Sequence, residues 1–145
     1  MGLRHCIAAL AAVFLLAGCG SGQVRRITPS QVSIQELSVQ PGGAWHLRLR
    51  IQNYSTISMT YASLHGTLHV AGVDVGTIDV KTDFDIPANS ADVVDTTLHA
   101  SAALPAGDIE YKIEGTIETT EPKETFKFNR SSRLSPTPGL ANTWR

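Results

Sequence analysis

Residues 109–118, with the sequence IEYKIEGTIE, decide the fold class of this chain. Apolar residues or glycine occupy the odd positions of this stretch, and charged residues or threonine occupy the even ones. Such a period of two places one set of side chains in a core and the other in solvent, which is typical of a half-buried β-strand. Pro122 ends the strand, and Phe126 and Phe128 indicate a last strand after it.

The same period recurs upstream, with turn residues between the segments. A second clear strand has four apolar residues at alternate positions: Trp45, Leu47, Leu49 and Ile51. Further strands are predicted at residues 32–39, 59–71, 73–80 and 91–98. In the first of these strands, the apolar residues change from even to odd positions between Ile34 and Leu37, which predicts a β-bulge. We expect the four residues of the second strand, with Tyr111 and Ile113, to maintain the fold.

Seven strands in about 100 residues, without helical periodicity in the mature chain, predict an all-β protein. The expected architecture is an immunoglobulin or fibronectin-III-like antiparallel β-sandwich over residues 32–134, and a closed barrel is the alternative. Prolines and a glycine in the segment SPTPG at 135–139 predict a disordered tail at 135–145.

Composition limits the function classes. The 145 residues are 42% hydrophobic and 17% charged, which fits one globular domain and excludes a solvated disordered chain. The formal net charge is −1, so no basic excess indicates a nucleic-acid partner. We expect no cofactor.

The first 18 residues predict a signal peptide. A basic start at Arg4 is followed by an apolar run, residues 6–16, that is shorter than the about 20 residues of a membrane-spanning helix. The following Leu16-Ala17-Gly18-Cys19 resembles a bacterial lipobox. This resemblance implies cleavage between Gly18 and Cys19 and attachment of lipid to Cys19. The alternative is an ordinary secretory signal that contains Cys19 by chance.

Lipidation would define the location of the mature protein. Two or more acyl chains anchor a protein stably, and residues 19–31 would be the lipidated cysteine and a flexible tether. By analogy with the common sorting rule, Gly20 in place of aspartate favours the periplasmic face of the outer membrane. Cys6 would leave with the signal peptide, so cysteine chemistry is not expected in the mature chain.

Residues 32–134 resemble the type-2 late embryogenesis abundant (LEA) family, also called the water-stress and hypersensitive-response (WHy) domain. Four features carry the resemblance, in this order: strand 45–51 leading to Asn53, the segment YASLHGTLHVAG at 61–72, Gly76, and DIPANS at 85–90. Tyr54 and Ser55 stand where the family usually continues with proline and asparagine. The resemblance implies a folded β-sandwich, a role in desiccation and other stresses, and no catalytic residues.

The spacing of two histidines resembles that of zinc-protease ligands. His65 and His69 are four residues apart, which on a strand separates them by about 13 Å. That distance is too long for one ion bonded at about 2 Å, so we expect no metal site. His46 and His99 could approach them only by strand pairing that the sequence does not define.

Other catalytic motifs are not found in the sequence. It contains no Gly-x-Ser-x-Gly and no phosphate-binding loop, which favours a protein that is not an enzyme. Acidic and basic residues nevertheless cluster in different parts of the sequence. Six aspartates and Lys81 give −5 over residues 51–95, and residues 122–145 carry +4. We interpret the acidic region 74–95 as edge-strand protection, with a cation-attracting face as the alternative.

Two hypotheses follow for the function. The first is a lipid-anchored envelope protein of the WHy type that protects client proteins or membrane during stress. The second is a structural or assembly lipoprotein that binds one dedicated envelope partner by adding a strand to a sheet edge.

Overall fold

The computed structural model of the chain describes residues 22–145. The predicted signal peptide, the cleavage position at Gly18 and the lipidation site at Cys19 lie outside this range. Within it the chain forms strands, turns and loops and no helix. A helix of the length and apolarity needed to cross a membrane is therefore not found between residues 22 and 145.

Within residues 22–145, eight strands form two sheets. Their bounds are β1 Gln31–Val39, β2 Ala44–Gln52, β3 Met59–Val70, β4 Val73–Ile86, β5 Ala91–His99, β6 Ile109–Glu121, β7 Lys123–Leu134 and β8 Thr143–Trp144. The first sheet has the order β5-β2-β1-β8, and the second has the order β4-β3-β6-β7. All pairings are antiparallel. The predicted β-sandwich is confirmed, and two separate sheets exclude the closed barrel.

The two sheets enclose the core with alternate residues of their strands. The six residues expected to maintain the fold are all buried: Trp45, Leu47, Leu49, Ile51, Tyr111 and Ile113. The predicted bulge in β1 is also confirmed, because the pairing of β1 with β2 shifts register between Ile34 and Glu36. Below the bulge Leu37 therefore returns to the core.

Strand β4 is longer than predicted. The expected strand ended at Val80, whereas the structure continues it to Ile86. The alternation of buried and exposed residues continues from Ile78 to Ile86, although φ at Asp83 is +47° and the pairing with β3 shifts between Tyr61 and Ser63. Three consecutive polar residues at 81–83 resemble the end of a strand, whereas the register shift marks a β-bulge within it.

The C-terminal segment corrects the prediction of a disordered tail. Thr143 and Trp144 form β8 and pair with β1, and Trp144 is only 7% exposed. The indole Nε1 of Trp144 donates to the carbonyl of Gly107 at 3.1 Å. Arg145 forms a salt bridge with Glu36 at 2.6 Å. The prolines shape a turn that returns the chain to the sheet, and burial of the indole ring stabilises the returned segment.

The start of the described chain corrects the extent of the predicted tether. Residues 22–30, here called the N-terminal arm, have no regular structure, but Ser30 is fully buried. Hydrogen bonds join the arm to Ser55 and Thr56 in the loop between β2 and β3. Residues 24–30 are therefore part of the folded body, and the tether ends earlier than residue 31.

Candidate functional site

An open groove of about 830 Å³ lies on the outer face of β3, β6 and β7. Polar and charged side chains dominate its lining: His69, Glu110, Lys112, Glu114, Ser131 and Arg133. They share one face because Lys112 pairs with Ser131 and Glu110 pairs with Arg133 across β6 and β7. The outward positions of these strands therefore form the groove.

Charges in the groove neutralise one another. Lys112 Nζ lies 2.8 Å from Glu114 Oε2, and Arg133 Nη2 lies 3.2 Å from Glu110 Oε1. His69 Nε2 lies 3.8 Å from the other oxygen of Glu114. Exposed pairs of this kind contribute little energy, about 0–1 kcal/mol each. The arrangement suits a hydrated surface that exchanges hydrogen bonds with water or with a polar neighbour.

His65 and His69 both lie on the outer face of β3 and have different partners. The imidazole of His65 pairs with Asp79 of β4, whereas His69 faces Glu114 of β6. The two histidines thus approach different carboxylates, which lie on opposite sides of β3. In the part of the chain that the structure describes, no group of three or more histidine, cysteine or acidic residues could hold a metal ion.

His46 and His99 lie on the other sheet. They are on β2 and β5, with His46 paired to Thr97 and His99 to Ala44, so both face outward from the first sheet. The sandwich therefore separates them from His65 and His69. Beside His46, Arg48 donates to Asp95 at 3.1 Å, and this hydrogen bond raises the pKa of Arg48 above its ordinary value.

Opposite charges occupy opposite sides of the sandwich. The six aspartates of the acidic region lie on β4 and β5, which are edge strands of different sheets that contact each other. Four of the C-terminal basic residues lie on β7, the other edge of the second sheet: Lys123, Lys127, Arg130 and Arg133. The name acidic edge is used below for β4 with β5, and basic edge for β7. This placement fits the interpretation of edge-strand protection.

The loop between β2 and β3 is organised by Asn53, which is fully buried. Its Nδ2 donates to the carbonyls of Ile57, Ile86 and Pro87 at 2.9–3.1 Å, and its Oδ1 accepts from the backbone N–H of Ser55. One amide thus joins two loops at the same end of the sandwich. This explains physically why the motif position at Asn53 requires an amide.

Two buried tyrosine hydroxyls connect separate segments. Tyr61 Oη shares a 2.6 Å hydrogen bond with Ser30 Oγ of the arm, and Tyr111 Oη accepts from the N–H of Ile34 at the β1 bulge. Burial raises the pKa of Tyr61 above its ordinary value, and the hydrogen bond to Ser30 opposes this change in part. Both hydroxyls hold elements together across the two sheets.

The contacts of Ser55 and Thr56 with the arm could not be predicted from the sequence. Serine and threonine are common in loops, so no signal separated these two from other loop residues. The sequence did indicate that Trp144 is buried, because a large aromatic residue is rarely left in solvent.

Comparisons with known proteins support the fold. No protein-family model matches the chain, and no curated protein sequence matches it. The solution structure of AT1g01470 from Arabidopsis thaliana is 12% identical, with a TM-score of 0.51 over 86% of this chain and 91% of that chain. That similarity shows a shared β-sandwich fold.

Two further solved structures overlay on this chain less closely. At2g46140.1, a proposed late embryogenesis abundant (LEA) protein, is 11% identical, with a TM-score of 0.48 over 92% of this chain and 84% of that chain. A protein from Archaeoglobus fulgidus is 16% identical, with a TM-score of 0.43 over 77% of this chain and 98% of that chain.

Proposed function

We propose that this chain is a lipid-anchored cell-envelope protein whose WHy-type sandwich protects neighbouring proteins or membrane during water stress, without catalysis. The observation that carries the proposal is the order of features along the chain. A segment at residues 16–19 that resembles a lipobox precedes a sandwich whose segments resemble the WHy pattern. Two residues of that pattern, Asn53 and Gly66, occupy positions that the fold itself requires.

The exterior supports a protective role by its chemistry. The groove on the second sheet and both edges present charged groups that stay hydrated or pair with one another. Below them, the core depends on apolar packing between two sheets. Such a body keeps its shape while offering many hydrogen bonds to other surfaces as water is removed.

The protective role is tested by drying a labile enzyme with the mature chain carrying Cys19→Ser. We expect more activity after rehydration than an equal mass of albumin preserves, and equal recovery contradicts the role. A matched control is Asn53→Asp, which would place a carboxylate against three carbonyl oxygens and unfold part of the chain. If protection requires the folded surface, this variant protects less than the parent.

The anchor is tested by labelling cells with radioactive palmitate. The wild-type chain should incorporate label and sediment with membranes, whereas Cys19→Ala should do neither. Label in the variant, or a wild-type chain without label, contradicts lipidation at Cys19.

A second candidate function is an assembly lipoprotein that binds one partner strand at a sheet edge. The observation that favours it is the opposite charge of the two edges of the second sheet, since each edge would select a strand of complementary charge. A photocrosslinker at Thr77 on edge strand β4 should then give one dominant product in intact cells. The matched control is Thr116 on central strand β6, where the backbone is already paired. A diffuse set of products at both positions favours the first function.

A further inference from the structure

The N-terminal arm is fixed to one end of the sandwich. The hydroxyl of Thr56 accepts from the N–H of Arg26 at 2.8 Å and donates to the carbonyl of Val24 at 2.8 Å. The N–H of Thr56 donates back to the carbonyl of Arg26 at 3.0 Å. Ser55 Oγ adds a contact to the N–H of Thr28 at 3.0 Å. The chain is therefore held in place from Val24 onward.

The end that holds the arm is defined by the antiparallel topology. Loops 53–58 and 87–90 and the β6–β7 turn at residue 122 lie together there, and we call it the arm end. The turns at 40–43 and 71–72 and the loop 100–108 lie at the opposite, far end. Strand β3 runs between the two ends over 12 residues, or about 40 Å at about 3.3 Å per residue.

A lipid on Cys19 would keep the arm end close to a bilayer. Five peptide steps join Cys19 to Val24. Fully extended, they span at most about 17 Å. That reach is less than half the length of β3, so an upright sandwich can bring only its arm end to the membrane surface.

The arm end presents exposed apolar and aromatic groups toward that surface. Val24 is 74% exposed, Tyr54 is 51% exposed, and Ile27 of the arm is 37% exposed. Tyrosine favours the interface between headgroups and hydrocarbon, because its ring is apolar and its hydroxyl is polar. The far end also has exposed apolar residues, Val73 and Leu140, but they are beyond the reach of the short tether in an upright body.

We propose that the sandwich stands end-on at a phospholipid bilayer, with Tyr54 and Val24 in contact with the headgroup layer. This inference rests on the proposed lipid anchor. The acidic edge, the basic edge and the polar groove then all face the aqueous phase, where other proteins can reach them. Thr56 sets the orientation, because its hydroxyl determines how much chain is free between the lipid and the body.

The test uses the acylated full-length chain, extracted from membranes and reconstituted into vesicles of phosphatidylethanolamine and phosphatidylglycerol that carry a headgroup quencher. A fluorophore is attached to a single new cysteine, Tyr54→Cys at the arm end or Val73→Cys at the far end. The two native residues are almost equally exposed, at 51% and 54%, so the positions form a matched pair. A third position, Lys127→Cys on the basic edge, detects a body lying on its side.

We expect the fluorophore at position 54 to be quenched several-fold more than those at positions 73 and 127. Equal quenching at 54 and 73 overturns the end-on orientation, and so does stronger quenching at 127. Flotation of the vesicles separates this inference from the anchor. A chain that does not float with vesicles contradicts both, whereas a chain that floats without preferential quenching at 54 contradicts the orientation alone.

The variant Thr56→Val tests whether the hydroxyl of Thr56 sets the orientation of the sandwich. It removes the hydroxyl contacts with Arg26 and Val24 but keeps a side chain of similar volume. The backbone bond from the N–H of Thr56 to the carbonyl of Arg26 remains, so the free chain from Cys19 lengthens from five to seven peptide steps, or from about 17 Å to about 24 Å. We expect flotation to persist and quenching at position 54 to fall. Unchanged quenching contradicts the role of Thr56.

Discussion

At the scale of residues, two glycines allow the central strands of the second sheet to pack under an aromatic ring. Gly66 of β3 lies directly opposite Gly115 of β6, which in turn pairs with Phe128 of β7. A Cβ on Gly66 would be 3.2 Å from the ring of Phe128, and one on Gly115 would collide with the carbonyl oxygen of His65. The glycine at position 66 of the WHy-like segment therefore has a packing reason.

Gly115→Ala should be strongly destabilising. The added methyl group meets backbone atoms of β3 that cannot move without breaking sheet pairing. We expect a loss of roughly 1–3 kcal/mol or more in the free energy of unfolding. Denaturant titration measures this loss, with Gly107→Ala as control because its Cβ would meet nothing within 4 Å. Equal effects of the two substitutions contradict the explanation.

Tyr61 makes stability depend on alkaline pH. Its folded pKa is raised, chiefly by burial, so the folded chain keeps this proton when the unfolded chain loses it near pH 10. The associated stability is fully present below about pH 10 and is lost as pH rises through the folded pKa. Absorbance titration should show late phenolate formation that Tyr61→Phe removes. At neutral pH the same variant should lose about 1 kcal/mol, since Ser30 loses its partner.

At the scale of elements, charge protects the exposed edge of β4. This 14-residue strand ends the second sheet, and its outward positions carry aspartates and Lys81. Charged side chains on an edge hinder pairing with another chain, because pairing would bring these charges out of water. The bulge at Asp83 adds a local distortion with the same effect.

Removal of the charges from the edge of β4 should cause the protein to self-associate. Asp79→Val with Lys81→Val leaves an uncharged β-branched run at a free edge, which favours strand pairing between molecules. Light scattering should rise with protein concentration. The matched control is Lys112→Val with Glu114→Val on central strand β6, whose backbone is paired on both sides. If the control associates as readily, general hydrophobicity and not the open edge is responsible.

The short strand β8 closes the fold at the far end. Trp144→Ala should cost roughly 3 kcal/mol, because a buried indole and its hydrogen bond to Gly107 are both lost. Thermal or denaturant unfolding measures the loss. Leu140→Ala lies in the same segment at a half-exposed site and should change stability by less than about 0.5 kcal/mol. A negligible effect of Trp144→Ala contradicts the structural role of the C-terminal segment.

At the scale of the whole molecule, the sandwich has distinct sides and ends. One side is acidic, the other is basic, and one end holds the N-terminal arm. The proposed anchor would give this body a direction relative to the membrane.

The membrane that receives the protein should depend on the residue after Cys19. Gly20→Asp should move the protein from the outer to the inner membrane fraction, as the sorting rule predicts for an aspartate at this position. Density-gradient fractionation measures the change. Gln23→Asp adds the same charge outside the position that the rule concerns and should leave the location unchanged. Equal redistribution of both variants contradicts a position-specific signal.

Much of the fold was predictable because it depends on local pattern. The alternation at 45–51 and 109–118 defines which face of β2 and β6 is buried, and the parity change after Ile34 marks the bulge. These features repeat every two residues, so a single strand shows them without its neighbours. In β4 the alternation also continues to Ile86, but three consecutive polar residues at 81–83 resemble a strand end, which is why the length of β4 was underestimated.

The candidate surfaces were only partly predictable, since they join distant residues. Charge segregation was visible along the chain, but its placement on opposite edges depends on strand order. The separation of His65 from His46 likewise depends on which sheet each strand enters.

The sequence by itself determined the strand pattern and the buried face of the main strands, because each depends on residues that are close along the chain. Tertiary structure alone decided that Thr56 holds the arm, that Trp144 returns to β1 and that Gly115 lies against the backbone of His65 and Gly66. These contacts join residues far apart in sequence, and their energy comes from burial and hydrogen bonds that exist only after the sheets have formed.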